Sequence, residues 1–498
     1  MKKIIIAISA LAVLLMSSCT KEFVTVKHNS AEPMDAYFIS ESRMFEALVA
    51  AYHPLQWFDY AFGAYNDLKL VSDIMADDIY CGGSNEGDQP TLVKTHYYTA
   101  TPIEHCGGIW TTAYSGVNRS CVVLEHVDAV PGMSEATKTL YKAEATILKS
   151  WFYTQLWKFW GNIPYYDVNL TAPYLAPQLP ADEVYANIIR NIEEAIEMGA
   201  LTNTPAAKGR VTLDMAYMLY AEVVMYQNDE SRYATALNYM KEIIQSGRYS
   251  LVADFKGMWE ETGEWGTESI WEINYTSEGG VRSWGNSIAS GGTVTPVLTG
   301  IPGGTAEFTD GWGFGPVAAH AYEMYNEGDQ RRDGGIYNHL EVAGSYGEGI
   351  NGGRWQSTGY FNRKYLSRVG GDHGQLADNN LNFCNNYRVY RYAETLLNAA
   401  ELAVLLGQDG SAWLQEVRDR AGCTDTDTSR EGILQERRKE FLGEGKRYWD
   451  LVRSGQAATV LTSGNHLYRE NSWTENKKYW PIPQSELDKD PNLVQNNY

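Results

Sequence analysis

The chain has 498 residues, of which 44% are hydrophobic, and a formal net charge of −21 at pH 7. Such a length allows about three domains with a large core, and so acidic a surface excludes nucleic acid as a partner because the phosphates would be repelled. Acidity alone names no substrate.

Lys2 and Lys3 precede an apolar run from Ile4 to Met16 that is too short to span a membrane as a mature helix, so residues 1–18 read as a signal peptide. Ser17 and Ser18 ahead of Cys19 resemble a bacterial lipobox, in which Cys19 is acylated and becomes the lipid anchor. Residues 19–34 then form the lipidated N-terminus and a tether, and no later stretch is apolar enough for a transmembrane helix. The remaining cysteines, Cys81, Cys106, Cys121, Cys384 and Cys423, are odd in number and form no Cys-x-x-Cys pair, so no structural zinc is expected. Cys81 and Cys106 flank a polar loop where an oxidising exterior would permit a disulfide.

Helical spacing of apolar residues runs from Ala36 to Ala61, from Tyr65 to Asp78 and from Trp110 to Val127. Ser134 reads as the cap of a long helix that stops near Gly161, ahead of Pro164. Asp182–Gly199, Thr212–Gln227 and Tyr233–Ser246 follow as further helices, and such pairs at similar separations resemble tetratricopeptide units. Periodicity is lost over 255–386, where glycine, asparagine and aromatics dominate and short strands are predicted around Ser269–Tyr275 and Tyr360–Tyr365. Helices resume at Val389–Glu401, Ser411–Ala421 and Arg430–Ser454. The expected fold is mostly α: a helical scaffold (35–254), a loop-rich subdomain (255–386), and C-terminal helices with a closing segment (387–498).

The run Glu436–Arg453 predicts one amphipathic helix, with Phe441, Tyr448, Trp449 and Val452 on its apolar stripe. Glu436 with Lys439, Glu444 with Arg447 and Asp450 with Arg453 are acid–base pairs one turn apart. Gly443 and Gly445 inside such a helix are costly, which suggests that a neighbouring helix crosses closely there. This run, the closing segment Trp480–Leu487 with its Pro-Ile-Pro, and Asp490–Tyr498 together resemble the C-terminal signature of the SusD/RagB family, surface glycan-binding lipoproteins of Bacteroidetes. Asp490 stands where that family usually has Asn. Gly209–Thr212 with Ala216–Glu222, and Val389–Glu401, are similar to further family blocks, and Thr20-Lys21-Glu22 after Cys19 is similar to the family's surface-export tag. The resemblance implies an outer-membrane lipoprotein that captures oligosaccharide and passes it to a SusC-like TonB-dependent transporter. It also leaves open a peptide-binding lid of the RagB type, and a tetratricopeptide adaptor without a ligand of its own stays open beside both.

No His-Glu-x-x-His, phosphate-cradling loop or Gly-x-Ser-x-Gly elbow is present, and the nine histidines lack metal-ligand spacing. The expectation is therefore a binding protein without catalytic residues, metal or cofactor. Fifteen tryptophans and 34 tyrosines favour sugar binding, since aromatic rings stack on the C–H faces of sugars while polar side chains meet their hydroxyls. Trp151, Trp157, Trp160, Trp413 and Trp449 lie in predicted helices and read as packing residues. Loop rings are the candidates for ligand contact: Trp284 with Asn286, and Trp312, each flanked by glycine. The loop from Tyr80 to His105 adds Tyr80, Asn85, Tyr97 and Tyr98, and in the resembling family the glycan site is built by matching regions.

Overall fold

The computed structural model describes residues 37–278, 282–343, 354–371 and 378–498; the signal peptide, Cys19 and the tether lie outside them. About half of the chain is helical, with four two-stranded antiparallel sheets among the described residues. Helix Gly108–His126 lies along Glu135–Trp160, which in turn packs on Ala181–Glu197. Leu213–Gln227 pairs with Tyr233–Gln245, and that helix meets Tyr392–Leu405, the hub for Ser411–Ala421 and Arg430–Glu440. This is the expected scaffold of helical pairs. Ser134 caps its helix as anticipated, its hydroxyl accepting from Thr137 N at 3.1 Å, and Gly161 at φ +66° ends it. Trp151, Trp157 and Trp160 are buried in the resulting core.

Three helical expectations fail in part. The first helix stops at Tyr52, a 3-10 turn holds Pro54, and Tyr60–Ala61 pairs with Ala64–Tyr65 in a tight hairpin where helix was expected. Helix then occupies only Leu68–Ile74 of the span from Tyr65 to Asp78. The run Glu436–Arg453 is also not continuous. Arg430–Glu440 ends, a turn follows, and Arg447–Arg453 begins.

Gly443 and Gly445 make that turn, with φ of +76° and +75°. A side chain on Gly445 would stand 2.9 Å from Lys69 Cα, so the close approach is real although the glycines break the helix rather than sit inside it. Of the three anticipated local ion pairs only Asp450 with Arg453 forms, at 2.7 Å. Glu436 instead meets Arg331 at 2.5 Å and Arg418 at 2.9 Å, while Arg447 reaches Asp77 at 2.9 Å. Glu444 pairs with Lys364 at 2.6 Å and Arg391 at 2.7 Å.

The loop-rich region is tied to this scaffold by backbone pairing. Ser269–Ile273 runs antiparallel to Tyr387–Arg391, and Ile336–Asn338 to Tyr360–Asn362. Cys81 and Cys106 are buried free thiols, so the anticipated disulfide is absent. Burial pushes both thiols up, Cys106 to about 11, which keeps them protonated and unreactive. No described helix is long and apolar enough to cross a membrane.

Candidate binding surface

Trp284 stands at the tip of a turn in which Asn286 N donates to the Ser283 carbonyl at 2.9 Å. Beneath it, Arg282 is fully buried and grips Asp59 through two bonds, at 2.9 and 2.7 Å. The same guanidinium donates to the carbonyls of Ser287 at 2.9 Å, Gly292 at 2.6 Å and Tyr60. A charge so buried is tolerable only when its donors are met. Meeting them locks the Trp284 turn onto the hairpin Tyr60–Tyr65. From the other side Trp284 N donates to Asp378 at 2.9 Å.

Trp312 is pinned differently. Its N–H donates to the Val297 carbonyl at 2.7 Å, and Gly313 N to Gly300 at 3.0 Å. Gly311 lies against the Gly300 backbone so closely that a side chain there would collide with it. The two tryptophans thus arrive from separate loops, each fixed by its own backbone.

Their indoles come together at 6.1 Å between centroids and 28° between planes. Tyr65 stands edge-on to both, at 5.8 Å from Trp312 and 6.4 Å from Trp284. Tyr60 meets Trp284 edge-on at 5.1 Å. Trp284 keeps 39% of its surface exposed, and Trp312 and Tyr65 are half-buried. Burial pushes the Tyr65 phenol up to about 12, so it remains a hydrogen-bond donor at any ordinary pH. Asn286 is exposed on the same turn as Trp284.

The neighbouring loop supplies a polar edge. Gly82 pairs with Phe314, two residues from Trp312, and Gly83 N donates to the Gly313 carbonyl at 3.1 Å. Gln356 Oε1 accepts from Cys81 N at 2.9 Å and Gly82 N at 3.2 Å, which fixes the loop's base. Asn85 is exposed there and caps its own turn, accepting from Gly87 N at 2.9 Å. Tyr97, half-buried, meets Trp355 edge-on at 6.3 Å.

Tyr80 and Tyr98 do not belong to this surface. They are only 4% and 6% exposed. Tyr80 packs against His466 and Tyr468, and Tyr98 donates to the Met75 carbonyl at 2.5 Å beneath the Arg469 guanidinium. Sequence reasoning missed Tyr60 and Tyr65. The one signal available was Gly63 between the two tyrosines, a residue that readily takes the φ of +76° it has here.

Among the described residues, one group brings metal-type ligand atoms together: Cys423, Asp425 and Glu436. Lys439 Nζ lies 2.6 Å from Asp425, and Arg331 and Arg418 take Glu436, so cations of the chain already satisfy this group. The surface around Trp284 has flat rings, amides and hydroxyls, which are groups for gripping a ligand.

The architecture is a helical-pair scaffold that carries loop-borne aromatic rings. Residues 321–498 match the model of the SusD family, and residues 45–225 match a model described as starch-binding, associating with outer membrane. Surface glycan-binding protein A from Bacteroides thetaiotaomicron, solved in complex with laminarihexaose, is 42% identical, with a TM-score of 0.85 and coverage of 92% of this chain and 100% of that one. A laminarin-binding SusD-like protein is 28% identical with a TM-score of 0.81, covering 92% of this chain and 99% of that one. A SusD-like protein of Formosa agariphila is 24% identical over 492 residues, 90% of each chain. The chain belongs to the SusD family.

Proposed function

We propose that this protein captures a glucan of the laminarin class, a β-1,3-linked chain, at the surface formed by Trp284, Trp312 and Tyr65. The observation that carries this reading is the indole pair at 6.1 Å, fixed from two independent loops, with Trp284 exposed and Trp312 half-buried beside it. Two rings at that spacing stack on successive sugar faces, while Asn286, Asn85 and the Tyr65 hydroxyl select among hydroxyl arrangements. The 42% identical relative solved with laminarihexaose supports the same ligand class. Binding requires no covalent step, and a shallow open surface corresponds to micromolar to millimolar affinity, about −8 to −4 kcal/mol.

Lipidation at Cys19 would hold the protein on the outer face of the outer membrane, where it would hand oligosaccharide to a SusC-like TonB-dependent transporter. Labelled fatty acid incorporated by the wild type and lost in Cys19→Ala checks the anchor. Affinity electrophoresis against a panel of plant, host and microbial polysaccharides tests the ligand class. Retardation by β-1,3-glucan is expected, and retardation by an unrelated polymer alone would contradict it.

A further inference from the structure

A second cleft, of about 420 Å3, opens between helix Gly108–His126, the segment 164–176 and the C-terminal residues 486–493. Its walls carry Trp110, Tyr114, Tyr166 and Tyr174, with Asn118 and Lys489 at the rim. Tyr114 and Tyr166 stack at 6.1 Å and 18°, and the Tyr114 hydroxyl is committed to the Pro164 carbonyl at 2.6 Å. The Tyr166 hydroxyl is different: its backbone bonds with Tyr153, yet among the described residues its phenol oxygen has no hydrogen-bond partner. Burial pushes that phenol up, so it stands in the cleft as a neutral donor.

Tyr174 is 70% exposed and sits at φ +63°, a left-handed conformation that disfavours any residue but glycine. Its N–H donates to the Thr171 carbonyl at 2.7 Å, which holds the turn that projects the ring. Rings, an unused hydroxyl and an amide in one concave site repeat the chemistry of the Trp284 surface, while the Lys489 ammonium is paired with Glu486 at 2.7 Å.

The two sites are connected through the fold. Tyr65 edges the first; the next residue, Asn66, lies directly against Gly108, leaving no room for a side chain there. Gly108 begins the helix whose Trp110 and Thr111 line the second cleft.

We propose that this cleft is a second glucan contact that engages a polysaccharide already held at Trp284 and Trp312. It rests on the glucan reading of that first surface. A second contact on one chain is intramolecular, so it raises affinity for polymer and leaves short oligosaccharides unaffected.

The test is calorimetric titration of wild type, Tyr174→Ala and Tyr166→Phe with polymeric β-1,3-glucan and with its hexasaccharide. Tyr174→Ala should weaken polymer binding about tenfold and leave hexasaccharide binding unchanged. Tyr166→Phe, which keeps the ring and removes only the hydroxyl, should lose less in the same direction. Hexasaccharide binding with polymer affinity identical in all three proteins overturns the cleft and spares the first surface. Wild type that binds neither ligand overturns both. A Tyr174→Ala protein that keeps full polymer affinity but no longer co-purifies with its transporter also overturns the proposal, and makes the cleft a protein contact.

Discussion

The ionic cluster around Arg331 and Arg391 and the aromatic surface around Trp284 and Trp312 use opposite physics. In the cluster, Arg331, Arg391, Arg418, Arg420 and Lys364 interlock with Asp329, Glu268, Glu436, Glu440 and Glu444, and the charged groups are buried. At the surface the tryptophans and tyrosines carry no charge, and their closest edge contacts are with one another. The densest chemistry in the molecule is therefore structural, and the chemistry of the proposed binding surface is sparse and neutral. Charged pairs at helical spacing point to neither catalysis nor binding here. They register the C-terminal helices against the loop-rich region.

The sharpest way to break that contrast is to unpair the cluster. Arg391→Met leaves Glu268, Glu440 and Glu444 short of a buried cation and should cost about 3–5 kcal/mol of stability, read as a lowered denaturation midpoint. Arg282→Ala joins the two regions' physics, because this buried charge supports a binding ring. It should cost stability of the same order, about 3 kcal/mol. It should also weaken glucan binding, since the Trp284 turn loses its grip on Asp59. Trp284→Ala and Trp312→Ala should each cost about 1–2 kcal/mol of binding, a factor of roughly 5–30, with the unfolding midpoint barely moved.

Acid sharpens the comparison further. His105 and His466 are held neutral by burial, at about 4 and about 3, and His96 lies well below its ordinary value for the same reason. Unfolding lets all three take up protons near 6.5, so their contribution is complete above that pH and lost as pH falls towards 4. Glu264, raised by burial to about 7, acts the other way, favouring the folded state below that pH. Burial lowers His53 and His339 likewise and raises Asp73 and Glu416 as it does Glu264, so five groups against three predict that stability rises with pH between about 4 and 6.5. Urea midpoints measured across that range check the sign. The smallest effect should come from Tyr80→Phe: this ring is buried away from the surface, and glucan affinity should not change.

The scaffold was legible in the sequence because amphipathic periodicity, Ser134 and Gly161 act locally. Trp284 and Trp312 were legible because the glycines beside them marked loops. Other features depend on partners far away in sequence. The sequence shows Glu436 beside Lys439, but not that Arg331 and Arg418 would claim its carboxylate, so local pairing was a fair but mistaken inference. Tyr60 and Tyr65 continue an apolar run that begins as a helix, and Phe62 turns the chain at φ +54° without the Asn-Gly that usually signals a hairpin. Tyr80 and Tyr98 lie in a polar stretch whose C-terminal cover, His466 to Arg469, no local pattern reveals.

The most direct test of the central claim is calorimetric titration of laminarihexaose into wild type and a Trp284→Ala, Trp312→Ala double variant, with thermal unfolding of both recorded alongside. The account predicts measurable binding by wild type, none by the double variant, and closely similar unfolding midpoints. Equal binding by the two proteins would contradict it and move the glucan site elsewhere on the molecule.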